Sequence, residues 1–186
     1  LSFTGSFHGR TLATVTATAQ PKYQEGYEPL PGGFRYCPFN DFDAAAEMIG
    51  PQTCAVLVEP IQGEGGVTPT APGFLKHLRA CCNKHGALLV FDEIQCGMGR
   101  TGKLFAYQWE EDVTPDLLTI AKALGCGLPI GALLATEAVA SAFQAGDHGT
   151  TFGGNPITAS VANVAFRRLR DPELHVHVLR QGEAIR

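Results

Sequence analysis

Three apolar runs of the chain are each followed by a charged residue that could do chemistry. The runs and the residues after them are Cys54–Val58 with Glu59, Ala87–Phe91 with Asp92, and Leu117–Ala121 with Lys122. Strands of a parallel sheet end along one edge, and open α/β folds bind their ligands there. We therefore expect these three charged side chains to lie along the same edge of a sheet.

A carboxylate and an amine at such an edge suit a pyridoxal-phosphate site. The amine of Lys122 would form a Schiff base with the cofactor, and the carboxylate of Asp92 would keep the pyridine nitrogen protonated. The protonated ring can then accept electrons from the substrate. Position at a strand end leaves a second interpretation open, in which Asp92 and Glu59 only cap loops and Lys122 is a solvated lysine.

The glycine-rich segment after the second run matches two nucleotide-binding patterns. Gly97-Met-Gly-Arg-Thr-Gly102 fits the GxGxxG fingerprint, and Gly97-x4-Gly102-Lys103 resembles a phosphate-binding loop. The first pattern should begin at the strand end and open a helix, but five residues intervene here. In the second, Leu104 stands where a Ser or Thr must bind magnesium. A nucleotide-binding module is therefore kept as an alternative.

The remaining segments alternate apolar runs with helical patterns, which indicates a layered α/β fold. The further predicted elements are a strand at residues 1–4, helices over Asp41–Gly50, Pro72–His85 and Asn155–Leu169, and a strand over Gly131–Ala135. That last strand follows Leu117–Ala121 too closely for a parallel crossover, so we predict that it is antiparallel. Residues 20–40 are rich in Pro, Gly and Tyr and predict a long excursion without an element of its own.

Composition excludes several classes of protein. The 186 residues carry a net charge of −4, which gives no basic footprint for nucleic acid or an anionic membrane surface. No apolar run is long enough to span a membrane, and a secretory signal is missing, so the cytoplasm is expected. The six cysteines have no disulfide-like spacing and mostly lie in apolar runs, which indicates reduced core cysteines. The histidines have no metal-binding spacing, and no metal is expected. The first residue is not Met and the last lies in a helical pattern, so we expect a fragment of a longer protein.

Five ordered blocks of the chain resemble those of class III (subgroup II) aminotransferases. The blocks are Ser6–Thr11 (SFHGRT), Val58–Gly66 (VEPIQGEGG), Phe91–Gly102 (FDEIQCGMGRTG), Asp116–Gly125 (DLLTIAKALG) and His148–Pro156 (HGTTFGGNP). Together they extend over about 150 residues, which is more specific than any single motif. The resemblance runs nearly end to end but covers only the middle of a family protein, so an upstream phosphate-binding segment and a downstream substrate arginine have no counterpart here.

The resemblance implies a role for five residues around the cofactor. Lys122 matches the Schiff-base lysine, which also moves the proton during catalysis. Asp92 matches the partner of the pyridine nitrogen, and Gln95 the side chain beside the phenolic oxygen. Phe7 matches the aromatic residue that stacks on the ring. Thr151 matches a residue that reaches the cofactor phosphate of the neighbouring subunit, which implies a homodimer.

Other residues match the family's substrate-binding and supporting positions. Arg10 matches an arginine that binds the substrate carboxylate, for which a planar guanidinium is suited. Glu64 matches a glutamate at the mouth of the substrate pocket, and Glu59 and His8 are expected to support the residues that contact the cofactor. Cys126 departs from the family pattern, which has glycine at this position.

The resemblance also implies the fold and the reaction. We expect the large domain of a type I pyridoxal-phosphate transferase over residues 1–170, and the start of a connection toward a small domain over residues 171–186. Its sheet should be mostly parallel with one antiparallel strand and helices on both faces. N2-acetylornithine would pass its terminal amino group to 2-oxoglutarate, as in arginine biosynthesis, and succinyl-diaminopimelate would serve in lysine biosynthesis. Succinylornithine, ornithine and 4-aminobutyrate are rival donors, and an inactive structural fragment is a further alternative.

Overall fold

The computed structural model describes residues 1–185, which form an α/β fold. The chain divides into two compact units, the first formed by residues 1–92 and 110–115 and the second by residues 93–109 and 116–186.

The first unit contains six strands and four helices. They are β1 (Ser2–Phe3), α1 (Leu12–Ala17), α2 (Pro21–Gln24), β2 (Tyr36–Cys37), α3 (Phe42–Met48), β3 (Ala55–Val58), β4 (Ile61–Gln62), β5 (Thr68–Pro69), α4 (Phe74–His85) and β6 (Leu88–Asp92). The two predicted strands β3 and β6 pair in parallel, with Val56 opposite Leu89 and Val58 opposite Phe91. Strand β1 lies beside β3, since the N–H of Leu57 donates to the carbonyl of Leu1.

The core of the first unit is built on this parallel pair and on α4. Val56, Leu89 and Phe91 are fully or almost fully buried, and α4 buries Phe74, Leu75, Leu78 and Cys82. Helix α4 is bounded by Gly73 and Gly86, both in the left-handed region, which glycine adopts at little cost. The predicted helix over 72–85 is thus confirmed. Its apolar pattern also places Cys81 on the core face, but this residue is only half-buried.

Two expectations for the first unit need correction. Residues 20–40 contain elements after all, namely α2 and β2, because β2 pairs in parallel with β1 and Gln24 bonds to the Tyr36 hydroxyl at 3.0 Å. The continuous apolar run at residues 54–58 predicts a strand buried on both faces, but only one face of β3 is buried: Val56 and Val58 are buried, whereas Ala55 and Leu57 are half-buried.

The second unit contains β7 (Leu117–Ile120), β8 (Ala132–Ala135), α5 (Glu137–Ala140), α6 (Pro156–Leu169) and α7 (Pro172–Ile185), with 3-10 turns at Ala106–Trp109 and Lys122–Gly125. Strands β7 and β8 are antiparallel, with Leu118 opposite Leu134, as predicted. Asn155 caps α6 by accepting the N–H of Thr158 at 3.1 Å. Helix α6 packs against the turn at Lys122–Gly125, and this packing supports the segment that carries the lysine.

All six cysteines are free thiols, as expected, but only three of them are buried core residues. Cys37, Cys82 and Cys96 are buried, whereas Cys54 and Cys126 are exposed. Burial, together with the charge of Asp41, raises the pKa of the Cys37 thiol to about 11. Among residues 1–185, no helix has the length and apolar character needed to cross a membrane.

Candidate active site

A buried histidine–aspartate pair lies at the end of β6. His8 Nδ1 and Asp92 Oδ2 are 2.8 Å apart, and both side chains are almost completely buried. Asp92 is the last residue of β6 rather than the first residue after it. His8 is held by its own backbone, because its N–H donates to Thr18 Oγ1 at 2.8 Å. The pair therefore fixes the orientation of a carboxylate at the carboxyl end of a buried strand.

Glu59, directly after β3, holds the backbone beside this pair. Its carboxylate accepts the N–H of Phe7 at 2.8 Å and that of Gly63 at 3.3 Å. Burial raises the pKa of the Glu59 carboxyl, and the hydrogen bond from Phe7, the charge of His8 and the bond from Gly63 oppose that rise in this order. Glu59 therefore joins two loops at the strand end.

The segment that carries Phe7 also presents a cation. The Phe7 ring meets the Tyr23 ring edge-to-face, with centroids 5.4 Å apart. The guanidinium carbon of Arg10 lies 4.6 Å from the Tyr23 centroid and 5.6 Å from that of Phe7. Cation–π contacts at this distance restrain the long side chain of Arg10 without neutralising its positive charge. Tyr23 was not among the predicted site residues, and its position in the irregular stretch gave no periodic signal.

In the second unit, Lys122 and Gln95 are brought together across 27 residues of sequence. Lys122 Nζ donates to Gln95 Oε1 at 2.9 Å, and the lysine side chain is exposed. The backbone of Lys122 has a φ of +46°, in the left-handed region that a residue with a Cβ rarely adopts. Such strained conformations cluster at functional sites, where surrounding structure imposes them.

Within the first unit these contacts arrange a carboxylate, an aromatic ring and an arginine, and within the second unit they hold an exposed amine. The profile of the family described as aminotransferase class-III matches residues 1–186. The chain belongs to the class-III aminotransferase family. This match confirms the resemblance that the five sequence blocks predict, and it excludes the nucleotide-binding module as the identity of the fold.

Individual relatives refine this membership. The chain of this class-III aminotransferase is 66% identical over its whole length to the acetylornithine aminotransferase of Xanthomonas axonopodis pv. citri, of which it covers 46%. It is 53% identical over 97% of its length to that of Neisseria meningitidis serogroup B, covering 45% of that protein. The chain thus spans about half the length of the curated relatives that it matches.

Solved structures of the family have the same fold. The ornithine aminotransferase of Toxoplasma gondii ME49 matches all of the chain with a TM-score of 0.94 and 36% identity, and 44% of that protein is covered. The N-acetylornithine aminotransferase of Stenotrophomonas maltophilia K279a also matches all of it, with a TM-score of 0.77, 47% identity and 42% coverage. The prediction of a type I pyridoxal-phosphate transferase fold is confirmed.

The glycine-rich segment of the class-III aminotransferase chain is a packed turn. The N–H of Gly97 donates to the carbonyl of Glu93 at 3.0 Å. The N–H of Gly99 donates to the carbonyl of Leu104 at 3.0 Å, and that of Gly102 to the carbonyl of Gly99 at 3.1 Å. A phosphate-binding loop needs such N–H groups directed at its ligand. Because these three N–H groups already bond to carbonyls of the chain itself, they are not directed at a phosphate. The glycines match the two nucleotide-binding patterns because the turn requires them.

Two predicted site residues stand apart from these clusters. Glu64 is exposed in the turn between β4 and β5, and Thr151 is exposed in the bend before α6. Exposure leaves both side chains accessible to a ligand or a second subunit. Cys126 is exposed as well, with a φ of +46°, a conformation that the glycine typical of the family adopts at lower cost.

Taken separately, each unit contains residues with the chemistry that the family's cofactor, pyridoxal phosphate, requires. Asp92 is a buried carboxylate oriented by an imidazole, which is the kind of group that pairs with a pyridine nitrogen. Within residues 1–185, His8 Nε2 is buried without a hydrogen-bond partner, so this side of the imidazole is still available. Lys122 offers an exposed primary amine for covalent attachment. Among the same residues, no group of His, Cys, Asp and Glu side chains could hold a metal ion.

Proposed function

We propose that the protein containing this chain is a pyridoxal-phosphate aminotransferase that moves the terminal amino group of N2-acetylornithine to 2-oxoglutarate. The products are N-acetylglutamate semialdehyde and glutamate. The observation that carries this proposal is the exposed Lys122 amine, held by Gln95 at 2.9 Å, in a chain 66% identical to an acetylornithine aminotransferase. The reaction belongs to arginine biosynthesis, and succinyl-diaminopimelate would extend it to lysine biosynthesis.

The chain's own residues divide the work. The cofactor supplies an aldehyde that takes up the amino group and a ring that withdraws electrons. Asp92, oriented by His8 at 2.8 Å, holds a proton on the pyridine nitrogen. Lys122 would hold the cofactor through Nζ; once a donor amine has displaced it, the freed Nζ would accept a proton from the donor carbon and pass it on as a general acid. Gln95 orients this amine, and Phe7 covers one face of the ring.

Substrate recognition falls to charged groups around this centre. Arg10 binds a substrate carboxylate, since its guanidinium is restrained by the rings of Tyr23 and Phe7 and still offers its N–H groups. Glu64 lies at the pocket mouth and helps one site accept both a donor with a basic terminal amine and the dicarboxylate 2-oxoglutarate. Glu59 supports Phe7 through its 2.8 Å hydrogen bond.

The protein is proposed to act as a cytoplasmic homodimer with shared active sites. Thr151 is exposed, so its hydroxyl is accessible to the cofactor phosphate of a second subunit. Residues 1–170 belong to the large, cofactor-binding domain, and residues 171–186 begin the connection toward the small domain. Helix α7 (Pro172–Ile185) lies in that connection.

The cofactor assignment is tested by colour. Full-length protein should be yellow, borohydride should make the cofactor attachment permanent, and Lys122→Ala should be colourless. The matched control is Lys103→Ala, because Lys103 is also exposed and its Nζ contacts the Trp109 ring at 5.2 Å. Lys103→Ala should stay yellow. A colourless wild-type protein that binds ATP, and loses it on Lys103→Ala, would overturn the proposal.

The donor is tested by steady-state kinetics. With 2-oxoglutarate as acceptor, kcat/KM should be highest for N2-acetylornithine among acetylornithine, succinylornithine, ornithine and 4-aminobutyrate. A margin of about tenfold corresponds to about 1.4 kcal/mol of transition-state binding. A higher value for succinylornithine would move the protein to arginine catabolism, and a higher value for ornithine would favour the activity named for the Toxoplasma gondii structure.

A further inference from the structure

Glu93, the residue after Asp92, is a completely buried carboxylate in the second unit. Its Oε2 accepts the N–H of Ala106 and its Oε1 accepts the N–H of Tyr107, both at 2.8 Å. The thiol of Cys96 also donates to Oε2, at 3.6 Å. A buried carboxylate is costly unless it is well hydrogen-bonded, and two short bonds from successive backbone N–H groups meet that need.

The backbone of Glu93 closes a turn at the same place. Its N–H donates to Thr119 on β7 at 3.0 Å, and its carbonyl accepts the N–H of Gly97 at 3.0 Å. A Cβ added at Gly97 would lie 2.6 Å from that carbonyl oxygen and 2.9 Å from Oε2. Glycine is therefore required at position 97, and the turn from 93 to 97 is closely fitted around Glu93.

Gln95 lies inside this turn and bonds to the lysine. Its carbonyl accepts a hydrogen bond from Arg100 Nε at 3.2 Å, and its Oε1 accepts from Lys122 Nζ at 2.9 Å. The position of Gln95 thus depends on the turn, and the turn depends on the bonds that Glu93 makes to residues 106 and 107. A shift of about 1 Å in such a residue is enough to lower activity strongly.

We propose that Glu93 is a positioning residue that acts on Lys122 through Gln95. Glu93 joins the turn at 93–97 to the 3-10 turn at Ala106–Trp109, so that the amide of Gln95 meets the lysine amine in one geometry. This inference rests on the proposed function, since it concerns the group that carries the cofactor. The close fit around Glu93 also explains why the nucleotide-like pattern begins with a glycine, since Gly97 approaches the carbonyl oxygen and Oε2 of Glu93 too closely for a Cβ.

The test uses full-length protein with Glu93→Gln, Gln95→Ala and the combination of both. A glutamine is isosteric, but its NH2 group faces one of the two backbone N–H groups, so one hydrogen bond is lost. The readout is the pH midpoint of the visible absorbance of the bound cofactor. We expect Glu93→Gln to shift this midpoint in the same direction as Gln95→Ala, and the combined variant to shift it no further.

A second readout uses the cofactor-free protein. Amide hydrogen exchange at residues 106 and 107 should become faster by about tenfold or more in Glu93→Gln, because an acceptor is lost. The matched control is Glu110→Gln in the first unit. Glu110 likewise accepts two successive backbone N–H groups, from Leu75 at 3.4 Å and Lys76 at 3.1 Å. This control should accelerate exchange at residues 75 and 76 and leave the absorbance midpoint unchanged.

If the pH midpoint of the absorbance is unchanged in Glu93→Gln, Glu93 is only a structural residue and the inference is overturned. This holds whether or not amide exchange at residues 106 and 107 becomes faster. If Glu93→Gln does not fold, Gly97→Ala displaces the same carboxylate from outside and must shift the midpoint instead. Failure of the proposed function looks different. It would appear as a colourless wild-type protein or as a yellow Lys122→Ala variant, whatever the variants at position 93 do.

Discussion

The His8–Asp92 pair should contribute a measurable coupling energy, because neither side chain is accessible to water. The two atoms are 2.8 Å apart, and the exposed fractions of the side chains are 2% and 7%. Hydrogen bonds to charged groups contribute about 1.5–3 kcal/mol, which is roughly 10- to 100-fold in an equilibrium constant. His8→Phe keeps an aromatic ring at this position but removes both ring nitrogens, so a buried carboxylate loses the imidazole that faces it. We expect this variant to lose about 3 kcal/mol of unfolding free energy.

The assay is a double-mutant cycle with His8→Phe, Asp92→Leu and the combined variant. Urea unfolding of cofactor-free, full-length protein is followed at one fixed protein concentration, since dimerisation would make stability concentration-dependent. Replacing both partners by apolar groups of similar shape should cost less than the two single losses added together, by about 1.5–3 kcal/mol. A coupling within about 0.5 kcal/mol of zero would refute the idea that the imidazole stabilises this carboxylate.

Three further outcomes are expected. Lys122→Gly should be more stable toward urea than Lys122→Ala by about 1 kcal/mol, because the φ of +46° strains any residue with a Cβ, and both variants should be colourless. The raised pKa of Glu59 means that the folded protein binds a proton at this carboxyl more tightly than the unfolded chain does. The stability that Glu59 contributes therefore falls as the pH rises from about 4.3 toward the raised pKa. The unfolding free energy of wild type minus that of Glu59→Gln should accordingly be lower at pH 8 than at pH 5. Gly65→Ala should lower the unfolding free energy by about 1–3 kcal/mol, because its Cβ would lie 2.6 Å from the carbonyl oxygen of Gly5. At Gly32 an added Cβ would meet no atom within 4 Å, so Gly32→Ala should change the unfolding free energy by less than about 0.5 kcal/mol.

The main strands and the longer helices could be predicted because their patterns extend over several residues. The buried runs became β3, β6 and β7, and the short connection to β8 required an antiparallel strand. Helix α1 gave no such signal, since Leu12–Ala17 contains the β-branched residues Thr14, Val15 and Thr16. The start of α1 is instead held by side chains, because Thr14 Oγ1 accepts the N–H of Thr11 at 3.0 Å. Local hydrogen bonds of this kind are invisible in hydrophobic periodicity.

The candidate site could be predicted residue by residue only through the family resemblance. Position at a strand end selected Asp92 and Lys122, but the pairing of Asp92 with His8 spans 84 residues of sequence. Tyr23 could not be found, because its contacts to Phe7 and Arg10 arise in a stretch without periodicity. Contacts between distant segments depend on how the elements pack. Composition and residue spacing do not predict that packing.

Charged residues at the ends of the strands fall into two kinds, and burial separates them. Glu59, directly after β3, accepts N–H groups from Phe7 and Gly63, and Glu93, directly after β6, accepts them from Ala106 and Tyr107. Each is a buried carboxylate that joins two backbone segments, so neither has to contact a ligand to be required. Lys122, by contrast, is exposed, and its Nζ donates to Gln95 Oε1 at 2.9 Å.

The rule that a charged residue at a strand end binds the ligand is therefore incomplete. Asp92 ends β6 and Glu93 follows it, yet these adjacent carboxylates have different partners. One of the two adjacent carboxylates is oriented by an imidazole, and the other fixes the turn that carries Gln95. If Glu93 acts as proposed, the chemistry of Lys122 depends on this buried carboxylate as much as on Asp92, because a reactive amine is useful only when its orientation is fixed.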